Sequence, residues 1–261
     1  MKPVIISLFL FVVLFSCKNN QQPAAEQKKV MPPPVHTDSV TACVLSQIAY
    51  CNRPQQLLDS FLPGWTVIWN PAPINGNYAF AARNHNTIAV AIRGSVMEFS
   101  EAAFQNWVYQ DLNAARQTAW TYTDSATNAK VSAGAYEGWE NLTRLKDTAT
   151  SKSLWMVLRE QQNSNPVLVT GHSLGGNLAT VYASWLKWNF RETKTPAPEI
   201  NIITFAAPAA GNKAFAEAVN QMFPLARRFE NTNDMVPKFP SVKSIKELGG
   251  LFAGGPSASD I

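Results

Sequence analysis

Apolar residues in this chain come in short runs that alternate with longer amphipathic stretches, and the alternation predicts the elements. Val40, Val44, Ile48 and Ala49 recur at helical spacing, and Pro54 marks the break after Cys51. Trp65–Trp69, Tyr78–Arg83 and Thr87–Arg93 read as strands, the last two joined by Asn84-His85-Asn86, a composition that suits a hairpin turn. Val96–Ala115 reads as helical or loop-helical. Tyr136–Gln162, with Trp139, Leu142, Leu145, Leu154, Trp155 and Leu158, reads as one or two amphipathic helices. A β-branched apolar run at Val167–Thr170 leads into an Ala-rich helical pattern from Asn177 to Leu186. A strand at Glu199–Ala206, a helix at Asn212–Met222 and a strand at Ala226–Asn231 follow. Strands alternating with helices after residue 130 predict an α/β fold, a mostly parallel central sheet with helices on both faces.

The first 37 residues do not share this pattern. Lys2 precedes an apolar run, Val4 to Phe15, that is too short for an ordinary membrane helix and reads as a targeting segment. Its end, Leu14-Phe15-Ser16-Cys17, resembles the lipobox of a bacterial lipoprotein, with 1–16 as signal peptide and lipid on the Cys17 thiol. A plain secretory signal, in which Cys17 has no role, is the alternative. Both imply export, and the lipoprotein reading implies anchorage at a membrane surface of the cell envelope. Residues 17–37 are polar and Pro-rich, an extended tether. The globular domain then covers 38–261.

At 261 residues and 46% apolar, the chain suffices for one sizeable α/β core. Charged residues at 15% exclude a disordered polyelectrolyte. The net charge of +4 is spread without a dense basic run, so nucleic acid is not an expected partner. Cys43 and Cys51 would stand about 12 Å apart on one continuous helix, beyond disulfide reach. A bridge needs the helix to end between them, and two free, mostly buried thiols are the expectation. No cysteine–histidine spacing points to a metal.

Candidate chemistry enters at Val167-Leu-Val-Thr-Gly-His-Ser-Leu-Gly-Gly176. Strand, Gly-x-Ser-x-Gly and helix in that order make a nucleophile elbow. Glycines flank the serine because the turn is strained and side chains there would meet the adjacent strand and helix. Ser173 is thereby a candidate nucleophile, and the N–H of Leu174, at the helix start, points to where an oxyanion would form. Downstream, Arg228–Pro237 reads as a strand running into a turn. Asp234 lies just past the strand end, where a carboxylate that orients a histidine belongs; a plain turn-capping role is the alternative. Ala91-Ile92-Arg93-Gly94-Ser95 ends a strand and opens a loop, which offers Ser95 as a second oxyanion donor or as an ordinary polar turn.

Taken together these segments resemble the class 3 (fungal-type) lipase family of α/β-hydrolases over nearly the whole span from 40 to 240. Val90–Ser95 looks like its strand and oxyanion loop, and Asn106-Trp107 with Asp111-Leu112 like the segment after its lid. Val131–Tyr136 looks like its His-x-Gly-Phe stretch, with serine for the histidine and alanine for the phenylalanine. Thr170–Gly176 is the elbow, Thr204–Asn212 resembles Thr-Phe-Gly-x-Pro-x-x-Gly-Asn, and Asn231–Pro237 resembles the segment of the triad acid. The resemblance implies a serine carboxylic-ester hydrolase acting on acylglycerol or related lipid esters, with no cofactor. It makes Ser173 the nucleophile, Asp234 the acid, and Ser95 with the Leu174 N–H the oxyanion hole. It also makes Val96–Gln105 the lid; Met97, Phe99 and Phe104 suit a flap over an acyl groove as well as they suit an ordinary helix core.

The chain departs from the family at the histidine, which the family carries several tens of residues after the acid. Three histidines exist, and none follows Asp234. His172 lies inside the elbow with its side chain expected to point away from the Ser173 hydroxyl and to hold the turn. His85 lies in a hairpin turn at the wrong sheet end, and His36 in the tether, which cannot preorganise a base. Two explanations compete: a chain that lacks its C-terminal element, since Leu248–Pro256 offers no closing piece for the core, or a pseudo-hydrolase that binds a lipid or protein partner without turnover. The intact Ser173, Asp234 and oxyanion element favour the first.

Overall fold

Ile88-Ala-Val-Ala-Ile92 and Val167–Thr170 are apolar on both sides of the strand, and such runs are stable only when both faces of their sheet are covered. A computed structural model of the protein, which describes residues 38–85, 87–95, 116–123, 128–161, 165–241 and 243–244, shows that cover. The sheet strands are β1 (Thr66–Trp69), β2 (Ala79–Arg83), β3 (Ile88–Ile92), β6 (Val167–His172), β7 (Ile200–Phe205) and β8 (Arg227–Phe229), in the order β1-β2-β3-β6-β7-β8. The β1–β2 and β2–β3 pairs are antiparallel, whereas β3–β6, β6–β7 and β7–β8 are parallel. The architecture is an α/β-hydrolase sheet, as expected.

Alternate residues of each strand serve different layers. Ile88, Val90, Ile92, Val167, Val169 and Ile202 face a core built with helix α5 (Leu174–Glu192) through Leu178, Tyr182 and Leu186. Phe80, Ala89, Ala91, Leu168 and Ile203 face the other core, closed by helices α1 (Ser39–Ile48) and α2 (Pro54–Phe61) through Leu45, Ile48 and Leu58. The buried Thr170 hydroxyl donates to the Ala42 carbonyl at 3.3 Å and ties β6 to α1. A one-residue slip of β6 would exchange the two sets of side chains, so the register is strongly specified.

The remaining elements buttress this frame. The strands β4 (Gln117–Ala119) and β5 (Lys130–Ser132) form a separate antiparallel ladder. Helices α3 (Ala133–Arg144), α4 (Leu154–Glu160) and α6 (Lys213–Met222) begin at Ser132, Ser153 and Asn212, each of which caps with its own side chain. Trp120, buried between β4 and α5, donates its indole N–H to the Ser184 hydroxyl at 3.0 Å and meets Trp139 and Tyr122 edge-on.

Some sequence expectations need correction. Pro54 does more than end the first helix: it occupies the first turn of α2, where its missing N–H is no loss. The ladder β4–β5 was not predicted at all, because three-residue strands carry no readable period. The first helix ends at Ile48, between the two cysteines, yet both thiols stay free, and both are half-buried where mostly buried thiols were expected. Tyr136–Gln162 resolves into two helices, α3 and α4. The expected lid at 96–105, the Asn106–Leu112 segment, Cys17 and His36 lie outside the described residues.

Candidate active site

Ser173 follows the last residue of β6 and precedes the first residue of α5. Its backbone has φ +56° and ψ −128°, a conformation that an L-residue holds only when its surroundings impose it. Those surroundings are explicit. A Cβ on Gly171 would lie 2.3 Å from the Gly175 backbone, and one on Gly175 would lie 2.2 Å from the Ile92 carbonyl oxygen. Only glycine at both positions lets strand, turn and helix pack this closely. The Ser173 N–H donates to the Phe205 carbonyl at 2.9 Å, which continues the β6–β7 ladder by one bond. Unlike Ser132, Ser153 and Asn212, Ser173 does not cap the helix it opens, because its backbone lies outside the extended region from which a side chain reaches back. Its hydroxyl is therefore not committed to α5.

The flanking strands bring the other candidates to the same sheet edge. Ile92, at the end of β3, pairs with Gly171 on one side of β6, and Ser95 follows three residues later. The contact of Gly175 with Ile92 seats the first turn of α5 against the start of that loop, beside Gly94. On the other side, His172 pairs with Phe205 and Phe205 with Phe229, the last residue of β8. Asp234 follows in the turn beyond. Its carboxylate accepts the Val236 N–H at 2.9 Å, so the turn-capping role foreseen as an alternative is present. Arg228 fixes this loop by donating to the carbonyls of Ala207 (2.6 Å) and Pro237 (3.1 Å) and by pairing with Glu230. Ser173 thus stands between Ser95 and Asp234, beyond the carboxyl ends of parallel strands, the crevice where open α/β sheets bind ligands.

His172 adjoins Ser173 but is engaged elsewhere. Its Nδ1 is 3.0 Å from the Tyr50 hydroxyl. Burial lowers its pKa below the ordinary histidine value, and the Asp234 carboxylate acts in the opposite sense, which places that charge within electrostatic reach of the ring. His85 lies in the turn closed by the Asn84 N–H to the Thr87 carbonyl, next to Ile88, the partner of Val167 at the start of β6. Six residues of strand separate that end from Ser173, about 20 Å. Neither histidine among the described residues is placed to take a proton from Ser173. Tyr50 went unremarked in the sequence, where a lone tyrosine at a helix end carries no signature. Among the described residues no cluster of His, Cys, Asp and Glu could hold a metal.

Comparison with known proteins bears on this geometry. The family described as Lipase (class 3) matches residues 89–244, from β3 through the turn after Asp234. The secreted mono- and diacylglycerol lipase 1 of Fusarium solani is 28% identical over 194 residues, which cover 73% of this chain and 50% of that protein. The chain thus spans about half the length of that relative. Lipase ZK262.3 of Caenorhabditis elegans is 35% identical over 99 residues, 38% of this chain and 27% of that one. Among solved structures, M37 lipase superposes with a TM-score of 0.71 at 21% identity, covering 85% of this chain and 75% of that one. A Rhizomucor miehei lipase in complex with its propeptide superposes with a TM-score of 0.61 at 22% identity, covering 78% and 63%. Elbow, sheet order and sequence match agree: the chain belongs to the class 3 lipase family.

Proposed function

We propose that the protein is a serine hydrolase of carboxylic esters, with acylglycerols or related lipid esters as substrates. The observation that carries the reading is the strained backbone of Ser173 between two glycines that tolerate no Cβ. Family membership and the relatives named lipases support the substrate class. In the reaction Ser173 Oγ attacks the acyl carbonyl and forms a tetrahedral adduct. The N–H of Leu174, reinforced by the positive end of the α5 dipole, and Ser95 stabilise its oxyanion. A base outside the described residues takes the serine proton, and Asp234 orients it. The adduct then expels the alcohol, and water repeats the cycle on the acyl-enzyme.

The positions of His172 and His85 favour a second reading, a non-catalytic module on the same scaffold that binds a lipid or a protein. Hydrolysis of p-nitrophenyl butyrate by the 261-residue chain and by Ser173→Ala tests whether Ser173 is served by a base in this chain. The hydrolase reading expects turnover that falls about 10⁴-fold or more in the variant. A wild-type rate equal to the variant's rate means that no base in this chain reaches Ser173, as in a binding module or a piece of a longer hydrolase. We further propose export, in line with the secreted Fusarium relative, a tether over 17–37 and a lipid anchor on Cys17, all N-terminal to the described residues. No helix among the described residues is long and apolar enough to cross a membrane.

A further inference from the structure

The elbow and the loop that carries Ser95 belong to different elements, and one side chain touches both. Tyr50 stands in the turn after α1. Its hydroxyl is 3.0 Å from His172 Nδ1 and 3.5 Å from the His172 carbonyl oxygen. A Cβ on Gly94 would fall 2.2 Å from that hydroxyl oxygen and 2.6 Å from the His172 carbonyl, so the phenol occupies the space a side chain at 94 would need. Burial raises the Tyr50 pKa, while a hydrogen bond from the Gly94 backbone and the nearby Arg93 guanidinium lower it. Arg93 also lies over the Tyr78 ring at 5.0 Å and donates to the Gly76 carbonyl at 2.7 Å, so the loop is held on its other side as well.

The Tyr50 hydroxyl carries one proton and two lone pairs. It can donate to His172 Nδ1 at 3.0 Å, or accept from a protonated Nδ1 and donate to the His172 carbonyl at 3.5 Å; in either order it is bonded to His172. We infer that Tyr50 is a positioning residue: its single hydroxyl, packed against Gly94 on one side and hydrogen-bonded to His172 on the other, sets the spacing between Ser95 and the Leu174 N–H. Each of those donors is one or two residues from a group that Tyr50 touches. Preorganised donors are effective only within a few tenths of an ångström of the developing charge, which is what such a clamp secures. The inference rests on the hydrolase reading above.

The test is the rate at which ethyl p-nitrophenyl butylphosphonate modifies Ser173 in the whole chain and in Tyr50→Phe, across probe concentrations, with Tm measured alongside. Phosphonylation develops negative charge in the same oxyanion site, whereas probe binding does not. The expected result is a maximal rate lower by about tenfold or more, with the half-saturating concentration changed less than about twofold. Equal maximal rates overturn the positioning role and leave the hydrolase reading standing. Rate and affinity that fall together with Tm also overturn it, in favour of a merely structural tyrosine. Failure of the wild-type chain to label at Ser173 overturns the clamp, which requires a working oxyanion site in this chain. Should Tyr50→Phe not fold, ¹⁵N NMR of His172 in the wild type decides: an Nδ1 shift moved by a hydrogen bond is required, and an Nδ1 with the shift of a free imidazole nitrogen overturns the clamp.

Discussion

Strain at Ser173 and the missing space at Gly171 are two sides of one design at the scale of single residues. A φ of +56° with ψ −128° costs about 1–3 kcal/mol for a residue with a Cβ. We expect Ser173→Gly to exceed Ser173→Ala in unfolding free energy by about 1 kcal/mol in urea titrations, since glycine removes the steric conflict and alanine keeps it. Gly171→Ala should cost about 2 kcal/mol or more in the same experiment, because the new methyl meets backbone, which cannot rotate away. Asp147 is a second focal residue. Although buried, its carboxylate accepts from the N–H groups of Asn70, Ala149 and Thr150 and from the Thr150 hydroxyl. Burial alone would raise its pKa, but those hydrogen bonds prevail and leave it below the usual carboxylate range. A depressed folded pKa contributes stability above the unfolded value of about 4, and that contribution is lost as pH falls through the folded value. Stability of wild type should therefore drop more steeply below pH 4 than that of Asp147→Asn, as read by Tm against pH.

Elements are joined here by side chains that serve two of them at once. Asn212 caps α6 through the Phe215 N–H at 3.0 Å, while the same oxygen accepts from the Lys130 N–H of β5 and its amide donates to the Asn128 carbonyl. Asn212→Ala should cost about 2 kcal/mol, and Asn212→Asp, which keeps the acceptor, about half that, by urea titration. The strands and helices with a long period were legible: β2, β3, β6, β7 and α6 each lie within a few residues of where the apolar pattern put them, and α5 was found in place but runs on from Leu186 to Glu192. The ladder β4–β5 was not, because Gln117-Thr-Ala and Lys130-Val-Ser acquire their state from each other and from the bridge of Val131 to Gly211. The second helix was missed for a related reason. Its eight residues bury Pro54 and Leu58, too few to display a face.

For the molecule as a whole, the sheet order explains why a sequence reading finds the candidate site more easily than it finds what holds the site. In cell fractionation, Cys17→Ala should move the protein from the membrane to the soluble fraction if lipid on that thiol is the anchor; retention in the membrane would refute it. The Gly-x-Ser-x-Gly turn, the hairpin and the parallel order of strands were determined by the sequence itself, since each depends on neighbours a few residues away or on a period repeated along one element. The strand ends and the family resemblance already bring Ser95 and Asp234 to Ser173 and put His85 at the wrong sheet end; tertiary structure alone decided that Tyr50 bridges Gly94 and His172. Tyr50 and His172 are 122 positions apart, and no local pattern encodes a hydrogen bond that exists only once β3, β6 and α1 have packed.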